Sequence, residues 1–182
     1  SYMKKLSLLR HAKSSWDDTV SRDFDRPLND KGKRASRAIG SFIKSNTLEF
    51  ETVLASPAVR VIETLEFVEE ASESNFEPEW ERKIYLASSV TLLDVLRSVD
   101  SNADHILMVG HNPGLEDLVF DLVPDDGSSK ARDMVEEKYP TAALAEMTLN
   151  IDSWAEISES CGSLDRFTRP RDLDPELGPD YD

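Results

Sequence analysis

The sequence predicts an α/β fold in three layers, with a mainly parallel central sheet covered by helices on both faces. Apolar runs at 4–10, 52–55 and 105–110 have the length and composition of short buried strands. Each run is followed, directly or after a loop, by a segment whose apolar residues recur at helical spacing. Strands that alternate with helices along a chain are typical of a doubly wound sheet.

The segment between the first strand and the first helix is irregular. Residues 12–29 are polar and rich in aspartate, and a loop of this length inside a compact domain is usually functional. Asn29 or Asp30 is predicted to cap the helix that follows, because either side chain can accept a hydrogen bond from the first turn.

The second strand leads directly into a helix. Ser56-Pro57 is interpreted as the N-cap and first residue of this helix, since serine and proline favour these positions. Arg60 then falls in the first turn. Further along, 83–86 is predicted to be a short extended segment, and 141–151 and 163–168 to contain the last strands.

The whole chain, 1–182, is expected to form a single domain. Its 182 residues suffice to bury a core. Its contents of 39% hydrophobic and 31% charged residues place it among ordinary globular proteins. Residues 170–182 are rich in proline and aspartate, and we expect them to be a loosely ordered tail.

Composition argues against several classes of partner. The formal net charge of −15 disfavours nucleic acid and anionic membranes. No apolar run approaches the roughly 18 residues that a membrane helix needs. The single cysteine, Cys161, fits a reducing cytoplasm, which is the expected location. One cysteine and three histidines give no spacing that is typical of metal ligands.

Positive charge is concentrated in the first third of the chain. Residues 1–60 carry 12 Lys and Arg against 7 Asp and Glu, a net of +5, whereas the remainder carries 9 against 29, a net of −20. This asymmetry indicates either a local field that attracts an anionic substrate or simply a solvated basic helix. The predicted helix after Asp30 contains four of these cations, Lys31, Lys33, Arg34 and Arg37.

Four residues are predicted to meet at one edge of the sheet, because the carboxyl ends of parallel strands share an edge. Arg10 and His11 end the first strand, Arg60 follows the second, and His111 follows the strand at 105–110. Arginine binds phosphate oxygens bidentately. A neutral imidazole can attack phosphorus, and nearby positive charge keeps it neutral. Each histidine alone is more often structural, but the set of four predicts a phosphoryl-transfer site.

The order of several motifs resembles the histidine phosphatase (phosphoglycerate-mutase-like) superfamily, and within it the small SixA-type branch. The motifs are Leu9-Arg10-His11-Ala12, Arg26-Pro27-Leu28, Ser56-Pro57-Ala58 with Arg60 and Thr64, Gly110-His111-Asn112-Pro113, Tyr139-Pro140-Thr141 and Arg169-Pro170-Arg171. The resemblance implies that His11 is the nucleophile and that Arg10, Arg60 and His111 complete the phosphate pocket. It also implies that no metal and no cofactor takes part.

The proton donor departs from the pattern of the superfamily. Many members place a carboxylate directly after the second histidine, where this chain has Asn112, which is left as a substrate-binding candidate. Others place it between the second arginine and the second histidine, and there Glu81 is the low-ranked candidate for a general acid. A site without an acid favours a leaving group that needs little protonation.

These observations predict a phosphatase that acts on phosphohistidine of a protein such as a phosphotransfer domain, through a phosphohistidine intermediate. Two alternatives stay open. The substrate is a small phosphomonoester or pyrophosphate in the first, and the chain is a non-catalytic module that binds phosphorylated partners in the second.

Overall fold

The computed structural model describes residues 3–16, 22–100 and 102–178. Within these ranges the strands are β1 (Lys4–Arg10), β2 (Thr52–Ala55), β3 (Glu79–Trp80), β4 (His105–Gly110), β5 (Leu144–Leu149) and β6 (Gly162–Thr168). The α-helices are α1 (Asp30–Ser45), α2 (Val59–Ser72), α3 (Ser89–Arg97), α4 (Gly114–Leu122), α5 (Lys130–Glu137) and α6 (Pro170–Leu173).

The strands form one sheet in the order β3-β2-β4-β1-β5-β6. Neighbouring strands from β3 to β1 are parallel, and β5 is antiparallel to both β1 and β6. The register pairs Arg10 of β1 with Gly110 of β4. The residues that follow these two strands therefore leave the sheet side by side. The prediction of a mainly parallel sheet is confirmed.

Alternation along the central strands builds a core on each face of the sheet. Leu6 and Leu8 of β1 contact the core formed with α3, α4 and α5, whereas Leu9 contacts the core formed with α1 and α2. In β4, Met108 and Val109 divide between the two faces in the same way. Because each central strand is apolar on both faces, it can be covered by helices on both, which is the predicted three-layer arrangement.

The start of α1 agrees with its sequence signal, whereas the start of α2 does not. The Oδ1 atom of Asn29 accepts a hydrogen bond from the Gly32 amide at 2.8 Å, as expected for an N-cap. The N-cap of α2 is Ala58, so the interpretation of Ser56-Pro57 as cap and first turn is wrong. The Ser56 hydroxyl is instead used inside the site described below.

The segment predicted to be extended at 83–86 is also different. The strand in this region is Glu79–Trp80, and Arg82–Ile84 forms a short 3-10 helix that buries Ile84. Tyr85 follows this turn, and its ring contacts that of His111, which directly follows β4, with the ring centroids 5.4 Å apart.

Residues 170–178 are folded, contrary to the loosely ordered tail that their composition predicts. They form α6 and a 3-10 turn at Pro175–Leu177, in which Leu177 is buried. Arg34 of α1 holds this turn through ion pairs with Asp174 and Glu176. Residues 179–182, the rest of the predicted tail, and 17–21, which belong to the predicted functional loop, lie outside the described residues.

Candidate active site

The structure brings the four predicted residues together at the carboxyl edge of the sheet. His11 directly follows β1, His111 directly follows β4, and the centroids of their rings are 5.3 Å apart. Arg60, the second residue of α2, lies between them, with its guanidinium 3.4 Å from a nitrogen of each ring. The adjacency of the parallel strands is what creates this convergence.

The hydrogen bonds of His11 define which of its nitrogens faces the site. Its Nδ1 is 2.7 Å from the carbonyl oxygen of Ala12, which only accepts, so Nδ1 carries the proton. Its Nε2 accepts from Nε of Arg60 at 3.4 Å and therefore holds a lone pair. Burial, together with the charges of nearby groups including Arg10 and Arg60, holds the pKa of His11 well below its usual range. The residue is thus a neutral imidazole with its nucleophilic nitrogen beside a guanidinium.

His111 has the opposite tautomer. Its Nδ1 is 3.4 Å from Nη2 of Arg60, which only donates, so Nδ1 accepts and Nε2 donates to the Ser56 hydroxyl at 2.7 Å. Burial, with the charge of Arg60, lowers the pKa of His111 to about 3. Ser56 was missed by sequence reasoning because Ser-Pro at a strand end is a familiar helix-start signal.

Arg10 and Asn112 meet at one backbone oxygen. Nη1 of Arg10 donates to the Tyr139 carbonyl at 2.9 Å, and Nδ2 of Asn112 donates to the same oxygen at 3.0 Å. The Oδ1 atom of Asn112 accepts from the Glu116 amide at 3.3 Å. Both ends of the Asn112 amide are therefore engaged with backbone. We therefore interpret Asn112 as a residue that orients the Tyr139 carbonyl to which Arg10 binds. The sequence led us to expect a contact between Asn112 and substrate instead.

A carboxylate that the sequence did not single out, Asp23, reaches the cluster. Its Oδ2 accepts from Nη2 of Arg60 at 3.0 Å and from the Tyr85 hydroxyl at 2.7 Å, and its backbone oxygen accepts from Nη1 of Arg60. Burial alone would raise the pKa of Asp23, but the Tyr85 hydrogen bond and the charge of Arg60 outweigh it and lower the pKa. Only the aspartate-rich character of 12–29 pointed to this loop.

Glu81, the low-ranked candidate for a general acid, has a local task. Its Oε1 accepts from the Lys83 amide at 3.0 Å and so caps the 3-10 turn that follows. The carboxylate bonded to Arg60 is that of Asp23, 58 residues earlier in the chain. The structure therefore does not support the assignment of Glu81 as an acid at this site.

Arg26 adds a third guanidinium beside the cluster. It stacks on the exposed ring of Trp16 at 3.6 Å from the ring centroid and donates to the Ser14 hydroxyl. Its Nε is 3.4 Å from Oδ1 of Asp23. Burial and the charge of Arg60 lower the pKa of Arg26, because positive charge nearby disfavours its protonated form. The sequence offered Arg26 only as part of an Arg-Pro-Leu motif.

The described residues contain no group of three or more histidine, cysteine or acidic side chains that could hold a metal ion. Within the same residues, none of the helices has the length and apolarity required to cross a membrane.

With the fold and the geometry of the site described, comparison with known proteins shows which proteins the chain resembles. The model of the histidine phosphatase superfamily (branch 1) matches residues 6–82. An uncharacterised Mycobacterium tuberculosis protein is 29% identical over 164 residues, which are 90% of this chain and 100% of that protein. The phosphohistidine phosphatase SixA of Escherichia coli is 26% identical over 79% of this chain and 84% of its own.

The solved structures give the same result. The putative phosphohistidine phosphatase SixA from Nakamurella multipartitia superposes with a TM-score of 0.78 at 25% identity, and the match covers 93% of this chain and 98% of that one. These matches show that the chain is similar to proteins of the histidine phosphatase superfamily. They also confirm the predicted resemblance to its SixA-type members.

Proposed function

We propose that this chain is a phosphatase that hydrolyses phosphohistidine on a protein such as a phosphotransfer domain, with His11 as the nucleophile. The match of residues 6–82 to the model of the histidine phosphatase superfamily supports phosphatase activity. The name of the E. coli relative, and that of the structural neighbour, support phosphohistidine as the substrate class.

The first chemical step follows from the tautomer of His11. Its Nε2 lone pair attacks phosphorus, a new N–P bond forms, and the P–N bond to the substrate imidazole breaks in line with the attack. The imidazole takes the bonding electron pair and leaves as a neutral ring, because its second nitrogen carries a proton in the reacting substrate. Water then attacks the phosphorylated His11, which releases inorganic phosphate and restores the neutral ring.

The cationic groups stabilise the phosphoryl group as it moves between nitrogens. Arg10 and Arg60 supply fixed donors and positive charge in a buried setting, where electrostatic interactions are strong. Nδ1 of His111 carries no proton here, so it can hydrogen-bond a phosphoryl oxygen only after taking one up. An adjacent phosphoryl dianion favours that uptake by raising the pKa of the imidazole.

The observation that carries the choice of substrate is the pairing of Asp23 with Arg60. The Oδ2 atom of Asp23 is 3.0 Å from Nη2 of Arg60 and accepts a hydrogen bond from the Tyr85 hydroxyl at 2.7 Å. Against the effect of burial, both contacts favour the ionised carboxylate and lower its pKa, so this group is a poor proton donor at neutral pH. An alkoxide leaving group requires a proton donor, whereas a phosphohistidine ring that is protonated at its second nitrogen leaves as neutral imidazole, a far weaker base. The site therefore suits phosphoramidates better than alkyl phosphates. The single cysteine is typical of proteins in a reducing compartment, and we include a cytoplasmic location in this proposal.

A comparison of leaving groups tests this proposal. We expect a phosphohistidine peptide and p-nitrophenyl phosphate to be hydrolysed, because neither leaving group needs an acid. Glycerol phosphate should have a kcat/KM lower by about 10²–10⁴, the contribution that general acid catalysis typically makes. The variant His11→Asn should hydrolyse none of them, which controls for contaminating phosphatases.

A kcat/KM for glycerol phosphate equal to or above that for the phosphohistidine peptide would contradict the proposal. It would favour a phosphatase for small phosphomonoesters instead. Absence of turnover with every substrate, accompanied by tight binding of phosphohistidine, would favour a binding module.

A further inference from the structure

A second pocket lies on the same edge of the sheet as the candidate active site. Its lining includes five cationic side chains, Lys13, Lys31, Lys138, Arg169 and Arg171. Its walls are largely apolar and include Ala35, Met134 and Leu177. Glu137 is the one carboxylate among the described residues that line it. Arg169 is already paired with Asp172, at 2.8 Å between Nη2 and Oδ1, so a local acid neutralises part of this positive charge.

The topology explains why this pocket and the site share an edge. β6 runs parallel to β1, since both are antiparallel to β5, and Arg169 follows β6 as His11 follows β1. Lys31 lies in the first turn of α1. The Cβ that an alanine would place at Gly32 would lie 2.1 Å from the Lys13 carbonyl oxygen, so this turn packs directly on the segment after His11.

The pocket is also joined to the anchor of Arg10. Lys138 precedes Tyr139, whose carbonyl accepts hydrogen bonds from Arg10 and Asn112. Pro140 and Thr141, which follow, line the pocket. A substrate surface that reaches the phosphoryl site from this side therefore passes over the pocket.

The cationic side chains of α1 differ in whether they form ion pairs. Arg34 is paired with Asp174 and Glu176, and Arg37 with Glu70. Lys31 makes no ion pair with any residue in the described part of the chain, and it faces the pocket. This distinction separates the two interpretations of the basic helix: part of it is neutralised by local acids, and part of it points at the edge where substrate binds.

We propose that this pocket, through Lys31, binds a carboxylate-bearing side chain that flanks the phosphohistidine of the protein substrate. The proposal rests on the proposed phosphohistidine phosphatase function. Apolar walls suit the methylene stem of a glutamate, and lysines on the rim suit its carboxylate. The pocket thereby supplies a local attraction that offsets the long-range repulsion between an acidic substrate and this acidic chain.

Lys33 provides a matched control for Lys31. It lies two residues further along the same helix, carries the same charge, and does not line the pocket. The probes are two synthetic phosphohistidine peptides that differ only in having Glu or Gln on both sides of the phosphohistidine. Wild type should have a lower KM for the Glu peptide than for the Gln peptide. Lys31→Ala should raise the KM for the Glu peptide by about threefold to tenfold and leave the KM for the Gln peptide unchanged.

Three further results are expected. Lys33→Ala should keep the wild-type preference, and p-nitrophenyl phosphate should be hydrolysed equally by all three proteins. In calorimetry, the unphosphorylated Glu peptide should bind wild type more tightly than Lys31→Ala. Equal effects of Lys31→Ala on both peptides, or no effect of Lys31→Ala on calorimetric binding, would overturn the proposal.

The two proposals fail in different ways. If wild type hydrolyses p-nitrophenyl phosphate but neither peptide, the phosphohistidine function is wrong, and calorimetry still decides whether the pocket binds carboxylates. If both peptides are hydrolysed with equal KM by wild type and Lys31→Ala, the phosphatase function stands and the pocket proposal is wrong.

Discussion

At the scale of single residues, the site is defined by two neutral histidines of opposite tautomer around one arginine. Arg60 can only donate, so it requires a lone pair on Nε2 of His11 and another on Nδ1 of His111. The protonated ring nitrogens, Nδ1 of His11 and Nε2 of His111, donate hydrogen bonds to the Ala12 carbonyl and the Ser56 hydroxyl. The arrangement fixes the orientation of both rings before any substrate binds.

The lowered pKa of His111 predicts that acid destabilises the fold. The unfolded chain binds a proton near pH 6.5, whereas the folded chain does so only near pH 3, so stability is complete above about pH 6.5 and falls below it. The loss should be about 1.4 kcal/mol per pH unit for this histidine. Urea unfolding at pH 7 and pH 5 measures it.

The variant His111→Gln isolates this contribution, because its amide can still donate to Ser56 but does not titrate. It should lose less stability than wild type between pH 7 and pH 5. An equal loss in both proteins would show that His111 is not held neutral in the fold.

At the scale of elements, the sequence predicts correctly those helix ends and strands that depend on residues close together in the chain. The cap at Asn29 and the alternation of apolar residues in β1 and β4 involve residues close in sequence, and the structure has them as predicted. The start of α2 and the turn at Arg82–Ile84 were mispredicted, since contacts across the fold decide both. The Ser56 hydroxyl accepts a hydrogen bond from His111, 55 residues away in the sequence, and is not used as a helix cap.

The packing of α1 on the loop after His11 gives a prediction at this scale. Replacing a helical glycine by alanine usually stabilises a helix by about 1 kcal/mol. At Gly32, however, the new Cβ would lie 2.1 Å from the backbone oxygen of Lys13, so the loop or the helix must shift. We expect Gly32→Ala to lower the free energy of unfolding by more than about 1 kcal/mol, the typical cost of overpacking, and to reduce kcat.

Ser41→Ala is the control, because Ser41 lies on the exposed side of the same helix. It should leave kcat unchanged and keep or slightly raise stability in the same denaturation experiment. A stabilised, fully active Gly32→Ala protein would contradict the close packing of α1 on the Lys13 segment.

At the scale of the whole molecule, strand order is what turns separate motifs into a site. The sequence was sufficient to predict a three-layer fold and the convergence of Arg10, His11, Arg60 and His111, because residues after parallel strands share an edge. It was not sufficient to find Asp23, whose contact with Arg60 depends on how an irregular loop crosses that edge. Nor could composition show that 170–178 fold against α1, because the ion pairs of Arg34 join distant segments.

The central claim is that His11 carries the phosphoryl group during turnover, and rapid trapping of the phosphoenzyme tests it most directly. Wild type mixed with a ³²P-labelled phosphoramidate and quenched in alkali should retain label, because phosphohistidine survives alkali whereas acyl phosphates do not. Peptide mapping should place the label on His11, and His11→Asn should retain none. Label on another residue, or turnover by His11→Asn at the wild-type rate, would contradict the account.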